Sequence, residues 1–189
     1  YFGIELEIDG AGRDDDFAEE LLDIANAHAD LLYIKTDGSL DDGMELVSHP
    51  CTMDYHINEF PWEDIMHRAV RQGYRSHQTS TCGLHLHVNR NAFSDNQEEQ
   101  DEVISRILYF VEHHWNELLK FSRRSEYTMN RWAARYGYEH TPKAIMDKAK
   151  KGGNGRYATV NLCNYHTVEF RLFRGTLKYN TFIATIQLV

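Results

Sequence analysis

Four separated segments of this 189-residue sequence carry acids or imidazoles on a two-residue period. In the first, Tyr1-Phe-Gly-Ile-Glu-Leu-Glu-Ile, Glu5 and Glu7 alternate with Ile4, Leu6 and Ile8. On a strand, that spacing sends both carboxylates to one face and the aliphatic residues to the other. Like charges side by side on a sheet repel unless water or a cation separates them. A solvated sheet face is one reading of the pair, and a cation site is the other.

The second segment, Cys82-Gly-Leu-His-Leu-His-Val-Asn, places His85, His87 and Asn89 on one face and Leu84, Leu86 and Val88 on the other. A single strand histidine is usually just hydrogen-bonded, whereas two on an apolar strand suit ligand or catalytic use. In Val168-Glu-Phe-Arg-Leu-Phe-Arg-Gly-Thr, Glu169 and Arg171 share a face, and Arg174 leads into a Gly-Thr turn. That pair can be a plain salt bridge. Arg174 at a strand end can equally grip a phosphate, because a guanidinium binds it through two parallel hydrogen bonds. The fourth segment, Asp37-Gly-Ser-Leu followed by Gly43-Met-Glu-Leu-Val-Ser-His-Pro, adds Glu45 on a strand leaving a turn.

Glu5, Glu7, Glu45, His85 and Glu169 together form an oxygen-rich set with one nitrogen donor. Mg2+ or Mn2+ suits such a set better than Zn2+, which favours nitrogen and sulfur. Arginines beside it imply that the metals hold phosphates.

The elements that must position these groups follow from the same patterning. Strands are expected over residues 31–36, 44–48, 84–89, 157–162 and 167–173, besides the opening one. Asp14, Asp15 and Asp16 head a helical pattern through Phe17, Leu21, Ile24 and His28. Pro61 opens a second helix that ends near Gly73. Ser94-Asp-Asn-Gln reads as a capping box before a helix carrying Val103, Ile107, Val111, Trp115 and Leu118. Thr141-Pro142 starts a shorter helix that stops by Gly152, and residues 148–155 read as a flexible loop. Regular helix crossovers between strands are missing, so a mainly antiparallel sheet with helices on one face, an α+β layout, is expected. The strand already under way at residue 1 and the apolar run 182–189 read as an excerpt of a longer protein, with 1–189 as one catalytic domain. Tyr127, Arg131, Trp132, Arg135, Tyr136 and Tyr138 form either a helix packed on the sheet or a lid that stacks on adenine or a peptide.

Composition narrows the function classes. Hydrophobic residues make up 42%, enough for a core, and 20 Lys and Arg against 29 Asp and Glu give a net charge of −9. That sign opposes non-specific nucleic-acid binding, which draws its affinity from phosphate neutralisation. No apolar stretch reaches the ~18 residues of a membrane span. Three cysteines without CxxC spacing argue against a disulfide framework or zinc ribbon and suit a reducing, cytoplasmic setting.

These motifs occur in one order that resembles the amidoligase family, carboxylate–amine ligases of the glutamine synthetase and glutamate–cysteine ligase superfamily. The likeness also takes in Arg156-Tyr-Ala-Thr-Val-Asn-Leu and runs from residue 2 to about 178, with insertions at 95–150. The resemblance implies a glutamine synthetase-like antiparallel sheet whose concave face holds ATP and two or three Mg2+ ions. It matches Glu5, Glu7, Glu45, His85 and Glu169 to metal ligands, and it sets His87 and Asn89 nearer the nucleotide. Arg171 matches the arginine facing substrate or phosphate, and Arg156 and Arg174 meet phosphates. No residue matches the loop acid that deprotonates the amine, which leaves the general base open. The implied activity is ATP-dependent joining of a carboxylate and an amine (amino acid, peptide or protein) through an acyl phosphate.

A metal-dependent hydrolase or nuclease is a rival reading of the Glu/His cluster, but it leaves Glu169, Arg171 and Arg174 without a task, and the acidic charge disfavours a nuclease. A binding module that keeps the ligase fold without activity is the non-enzymatic alternative.

Overall fold

The computed structural model describes residues 1–189. Its strands are β1 (Phe2–Asp9), β2 (Leu32–Lys35), β3 (Gly43–Ser48), β4 (Gly83–Asn89), β5 (Val160–Asn161) and β6 (Thr167–Arg174), hydrogen-bonded in the order β2-β3-β1-β4-β6-β5. β1 and β2 each run antiparallel to β3, and β5 runs antiparallel to β6. Eight helices accompany them: α1 (Asp15–Ala25), α2 (Met53–Asn58), α3 (Trp62–Gln72), α4 (Gln97–His113), α5 (Trp115–Ser122), α6 (Glu126–Trp132), α7 (Pro142–Lys150) and α8 (Tyr179–Leu188). The chain is α+β, as its patterning predicts. It forms two compact units, residues 1–86 with 174–189, and residues 87–173. No helix is long and apolar enough to cross a membrane.

In the first unit the period-2 alternation of β1 does its work. Ile4, Leu6 and Ile8 are fully buried, as are Leu46 of β3 and Leu84 and Leu86 of β4. Phe17 and Leu21 of α1, Trp62, Ile65 and Met66 of α3, and Phe182 and Ile186 of α8 complete this core. The Trp62 ring packs 4.3 Å from Phe60 and 4.8 Å from Phe182. Trp62 Nε1 donates to His56 Nδ1 at 3.2 Å, which fixes the tautomer: His56 Nε2 carries the proton and donates to the Phe2 carbonyl at 3.0 Å. Burial holds the His56 pKa below its ordinary value, so the ring stays neutral in this role.

Register in this unit is fixed by close approach. A Cβ added to Gly43 would lie 2.0 Å from the Ile8 carbonyl oxygen, so only glycine lets β3 start against the end of β1. Asp9, at that same end, is the local hub. Its carboxylate accepts from the backbone N–H groups of Gly10, Asp41 and Asp42 at 2.9, 3.1 and 2.7 Å, and from the Thr81 hydroxyl at 2.8 Å. Burial alone would raise its pKa; these donors outweigh it and hold the group below the usual carboxylate range.

The second unit is built on α4 and α7. Buried residues on α4 are Gln100, Ile104, Ser105, Leu108, Val111 and Glu112; the expected stripe holds at Val111, while Val103 and Ile107 are half-buried and their neighbours Ile104 and Leu108 take the core positions. Its N-cap is Asn96, which accepts from Glu98 and Glu99 N–H, while Ser94 bonds to the Glu99 side chain instead. The helix also stops at His113 rather than running to Leu118. The break is one residue long: His114 N–H still bonds to the Phe110 carbonyl at 3.0 Å, α5 starts at Trp115, and Trp115 and Leu118 are buried on it. Glu112 is buried and fully engaged: Arg135 Nε donates to it at 2.7 Å and Tyr136 N–H at 2.8 Å. With the Tyr136 hydroxyl on the Val160 carbonyl, this anchors residues 133–136.

Other boundaries moved for local reasons. α1 ends at Ala25, because Asn26 turns the chain with its side chain bonded to Leu31, Leu32 and the Leu32 carbonyl, so His28 lies beyond it. The strand expected over 157–162 is reduced to two residues, since Gly155–Tyr157 forms a 3-10 turn. The apolar run is helical from 182 through Leu188, as part of α8. Residues 148–150, expected in a loop, complete α7. α2 and α6, six and seven residues long, are too short to show a period in sequence.

Asp9→Ala strips four donors of their buried acceptor. It is expected to destabilise the protein by about 2–4 kcal/mol in urea denaturation, since each unsatisfied buried group costs about 1–3 kcal/mol. Wild-type stability from Asp9 is present above the unfolded carboxylate pKa and is lost as pH falls through the depressed folded value; the variant should lack that acid-side loss.

Candidate metal centre

The β1–β3 register sets Glu7 directly opposite Glu45, and the β2–β3 register sets Lys35 opposite Glu45 from the other side. Glu5, two residues along β1, lies diagonal to Glu45. His85 of β4 completes the group, with Nδ1 at 3.3 Å from Glu5 Oε2. One ligand atom each from Glu5, Glu45 and His85 can be chosen so that all lie within 4.8 Å of one another. Glu45 and His85 are buried, and Glu5 is half-buried.

The electrostatics of this cluster are unbalanced. Burial, reinforced by the Glu5 charge and a shared hydrogen bond with Glu5, pushes the Glu45 carboxyl up to about 8. Lys35 opposes this, with Nζ at 3.2 Å from Glu45 Oε2 and 3.7 Å from Glu5 Oε1. Its own pKa is raised: burial alone lowers it, and the two carboxylates more than reverse that. Lys35 Nζ meets Glu45 Oε2 as an ion pair, and this buried oxygen accepts from no other donor. One lysine therefore does not neutralise the acids around it. An oxygen-rich donor set with an under-satisfied buried carboxylate fits a hard divalent cation.

Glu7 is buried beside this triad but is turned to the backbone, accepting a short hydrogen bond from Gly83 N–H. Arg174, also in this unit, donates to the Thr79 carbonyl at 3.4 Å. Its neighbour Gly175 is required by packing, since a Cβ there would lie 2.1 Å from Ser76 Oγ.

In the second unit Glu169 is buried in its own cage. Asn161 Nδ2 donates to Oε2 at 2.6 Å, Asn164 Nδ2 donates to the same oxygen at 3.2 Å, and Arg171 donates to Oε1. His87 Nε2 is 4.0 Å from Glu169 Oε1, and its Nδ1 is 3.2 Å from the Thr167 hydroxyl. Asn89 caps the 3-10 turn at Arg90–Ala92 by accepting from Asn91 N–H at 2.9 Å. Arg156 is exposed and donates to the Tyr157 hydroxyl at 2.9 Å.

Sequence reasoning passed over Lys35, Asn161 and Asn164. The alternation in Leu32-Tyr-Ile-Lys35 does place Lys35 on a sheet face, and pairing of β2 with β3 brings it to Glu45. Thr159 and Asn161 likewise alternate toward one face, which was the available signal for the Glu169 partner. Asn164 lies in a turn and has no periodic signature.

With its carboxyl raised, Glu45 would exchange a proton for any cation bound there. Mn2+ affinity is expected to rise about tenfold per pH unit up to about pH 8, with about one proton released, measured by calorimetry in two buffers. Without metal, the folded state holds a proton that the unfolded chain loses above about 4.5, so stability from Glu45 is full below that pH and lost as pH rises through about 8. Glu45→Gln should remove this decline in Tm and abolish Mn2+ binding. A pH-independent affinity contradicts the proton exchange.

The comparisons with known proteins agree with the motif order. No curated protein matches the chain. The family described as "Putative amidoligase enzyme" matches residues 25–189, a span containing Lys35, Glu45, His85, Glu169 and Arg171 and beginning after β1 with Glu5 and Glu7. With that match extending over most of its length, the chain belongs to the amidoligase family.

Proposed function

We propose that this protein is an ATP- and Mg2+-dependent (or Mn2+-dependent) carboxylate–amine ligase, working on a glutamine synthetase-like fold in the cytoplasm. The observation that carries the reading is the under-neutralised triad of half-buried Glu5 with buried Glu45 and His85, found in a chain of the amidoligase family. The three free cysteines suit a reducing compartment.

A carboxylate is a poor electrophile. In the proposed reaction one of its oxygens attacks the ATP γ-phosphorus and ADP leaves, giving an acyl phosphate. The amine nitrogen then attacks the carbonyl carbon, loses a proton, and phosphate departs with the original carboxylate oxygen. Both steps concentrate negative charge around the γ-phosphoryl group, so neutralising that charge is the main task of the protein.

Glu5, Glu45 and His85 would hold Mg2+, with Glu7 and Glu169 as further carboxylates assigned to metal. Bound Mg2+ supplies charge neutralisation and Lewis acidity toward the phosphate oxygens. Arg171 presents a planar fork for a carboxylate or phosphoryl oxygen pair, and Glu169 orients it from Oε1. Arg156 and Arg174 are assigned to phosphate, and His87 and Asn89 to the nucleotide. The substrates are a carboxylate and an amine, with neither nucleic acid nor membrane as partner.

ADP release in the presence of a working carboxylate tests the reading. Arg171→Lys keeps the charge beside Glu169 and loses the fork, so it should lose at least about tenfold in carboxylate-dependent ADP release while Mn2+ still binds. Glu7→Gln should weaken Mn2+ binding itself. ATP with Mg2+ should raise Tm more than either alone. ATP turnover indifferent to every carboxylate offered, or ATP affinity indifferent to divalent metal, rejects the ligase assignment.

A further inference from the structure

Lys35 supplies a positive charge at the Glu5–Glu45 pair. Its ammonium lies 3.2 Å from Glu45 Oε2 and 3.7 Å from Glu5 Oε1, so it bridges two of the three residues that would hold a metal ion. Glu5 turns its other oxygen to His85, with Oε2 at 3.3 Å from Nδ1. The lysine therefore sits against the ligand set itself. All four residues belong to the unit formed by residues 1–86 and 174–189.

A divalent ion ligated by Glu45 Oε2 and an ammonium 3.2 Å from that same oxygen repel one another at short range. The two cations compete for the same carboxylates, and the fold decides which partner can leave. Glu45 is 2% exposed on β3, enclosed between β1 and β2, whereas the Lys35 side chain is 44% exposed on β2, the edge strand. Its stem is flexible and its head strongly hydrated, so withdrawal into water costs little.

The residue type fits an exchangeable partner. Glu112 and Glu169, also buried, are each held by an arginine. A guanidinium fork grips two acceptors at once, while a lysine offers a compact point charge on a mobile stem. We infer that Lys35 is a displaceable counter-ion: its ammonium holds Glu5 and Glu45 together until a divalent cation takes those carboxylates, and then swings into solvent. Lys35 thereby sets the cation concentration at which the centre fills. The exchange rests on the metal-centre part of the ligase reading and on no step of the ligase reaction.

Mn2+ alone, without ATP or substrate, is the probe, with affinity read by calorimetry and by the metal-induced rise in Tm. Lys35→Met keeps most of the stem and removes the charge, and it should bind Mn2+ about tenfold tighter than the wild-type protein. Loss of the ammonium also lets Glu45 hold a proton more tightly. A divalent ion gains twice what a proton gains from losing the same positive neighbour, so the net change favours the metal. Lys35→Arg keeps the charge on a fork that grips both carboxylates, and it should bind Mn2+ at least about threefold more weakly. Displacement itself is read on the wild-type protein, by mass spectrometry after brief acetylation of its lysines. Saturating Mn2+ should raise acetylation of Lys35 severalfold relative to the exposed Lys178.

Unchanged or weaker Mn2+ binding by Lys35→Met overturns the inference, as does wild-type affinity in Lys35→Arg. Acetylation of Lys35 that bound Mn2+ leaves unchanged or lowers also overturns it; this arm needs no variant and decides the matter should either substitution impair folding. Mn2+ binding to none of the three proteins overturns the inference together with the metal centre. Tighter binding by Lys35→Met and metal-driven acetylation of Lys35, in a protein showing no carboxylate-dependent ADP release, would leave the inference standing and reject the ligase reading alone.

Discussion

Antiparallel pairing of β1 with β3 sets carboxylate against carboxylate, and much of the first unit serves that constraint. A strand pair held by an ordinary cross-strand contact gains stability from it; this one incurs repulsion and burial cost at Glu7 and Glu45. The register persists because one end of the pairing is fixed by groups with no latitude. Gly43 admits nothing larger against Ile8, and Asp9 gathers the following turn onto its carboxylate. The apolar face of the same strands, with Ile4, Leu6 and Leu46 fully buried, supplies the favourable free energy that offsets the acids behind it.

Buried acids in this protein fall into two kinds. Glu112 and Glu169 are each met by an arginine and by amide N–H donors, and their surroundings are balanced. Glu45 shares one lysine with Glu5, and its buried Oε2 accepts from no other donor. A satisfied buried carboxylate holds elements together, while an under-satisfied one marks a place where a further positive group belongs.

The strands and their faces were legible in the sequence because a period of two needs only a few residues to declare itself. Glu5, Glu45 and His85 could be grouped before any coordinates, since each interrupts an apolar alternation on the face away from the core. Their partners were less visible. Lys35 acquires meaning only through the β2–β3 register, and Asn164 sits in a turn where no periodicity exists. Helix ends depended on competition among side chains. Asn96 takes the cap that Ser94-Asp-Asn-Gln suggested for Ser94, and α4 gives way to α5 at His114 without any glycine or proline to mark the break. Short helices such as α2 offer too few turns for an apolar stripe.

The three cysteines differ in a way that bears on handling the molecule. Burial raises the Cys51 thiol and pushes that of Cys82 up to about 12, which leaves almost no thiolate at either position near neutrality. Cys163 is exposed, two residues from the Asn161 that holds Glu169. A maleimide dye or spin label added to the native protein will therefore attach at one place, giving a single optical or magnetic reporter in the unit formed by residues 87–173 without removal of any other cysteine.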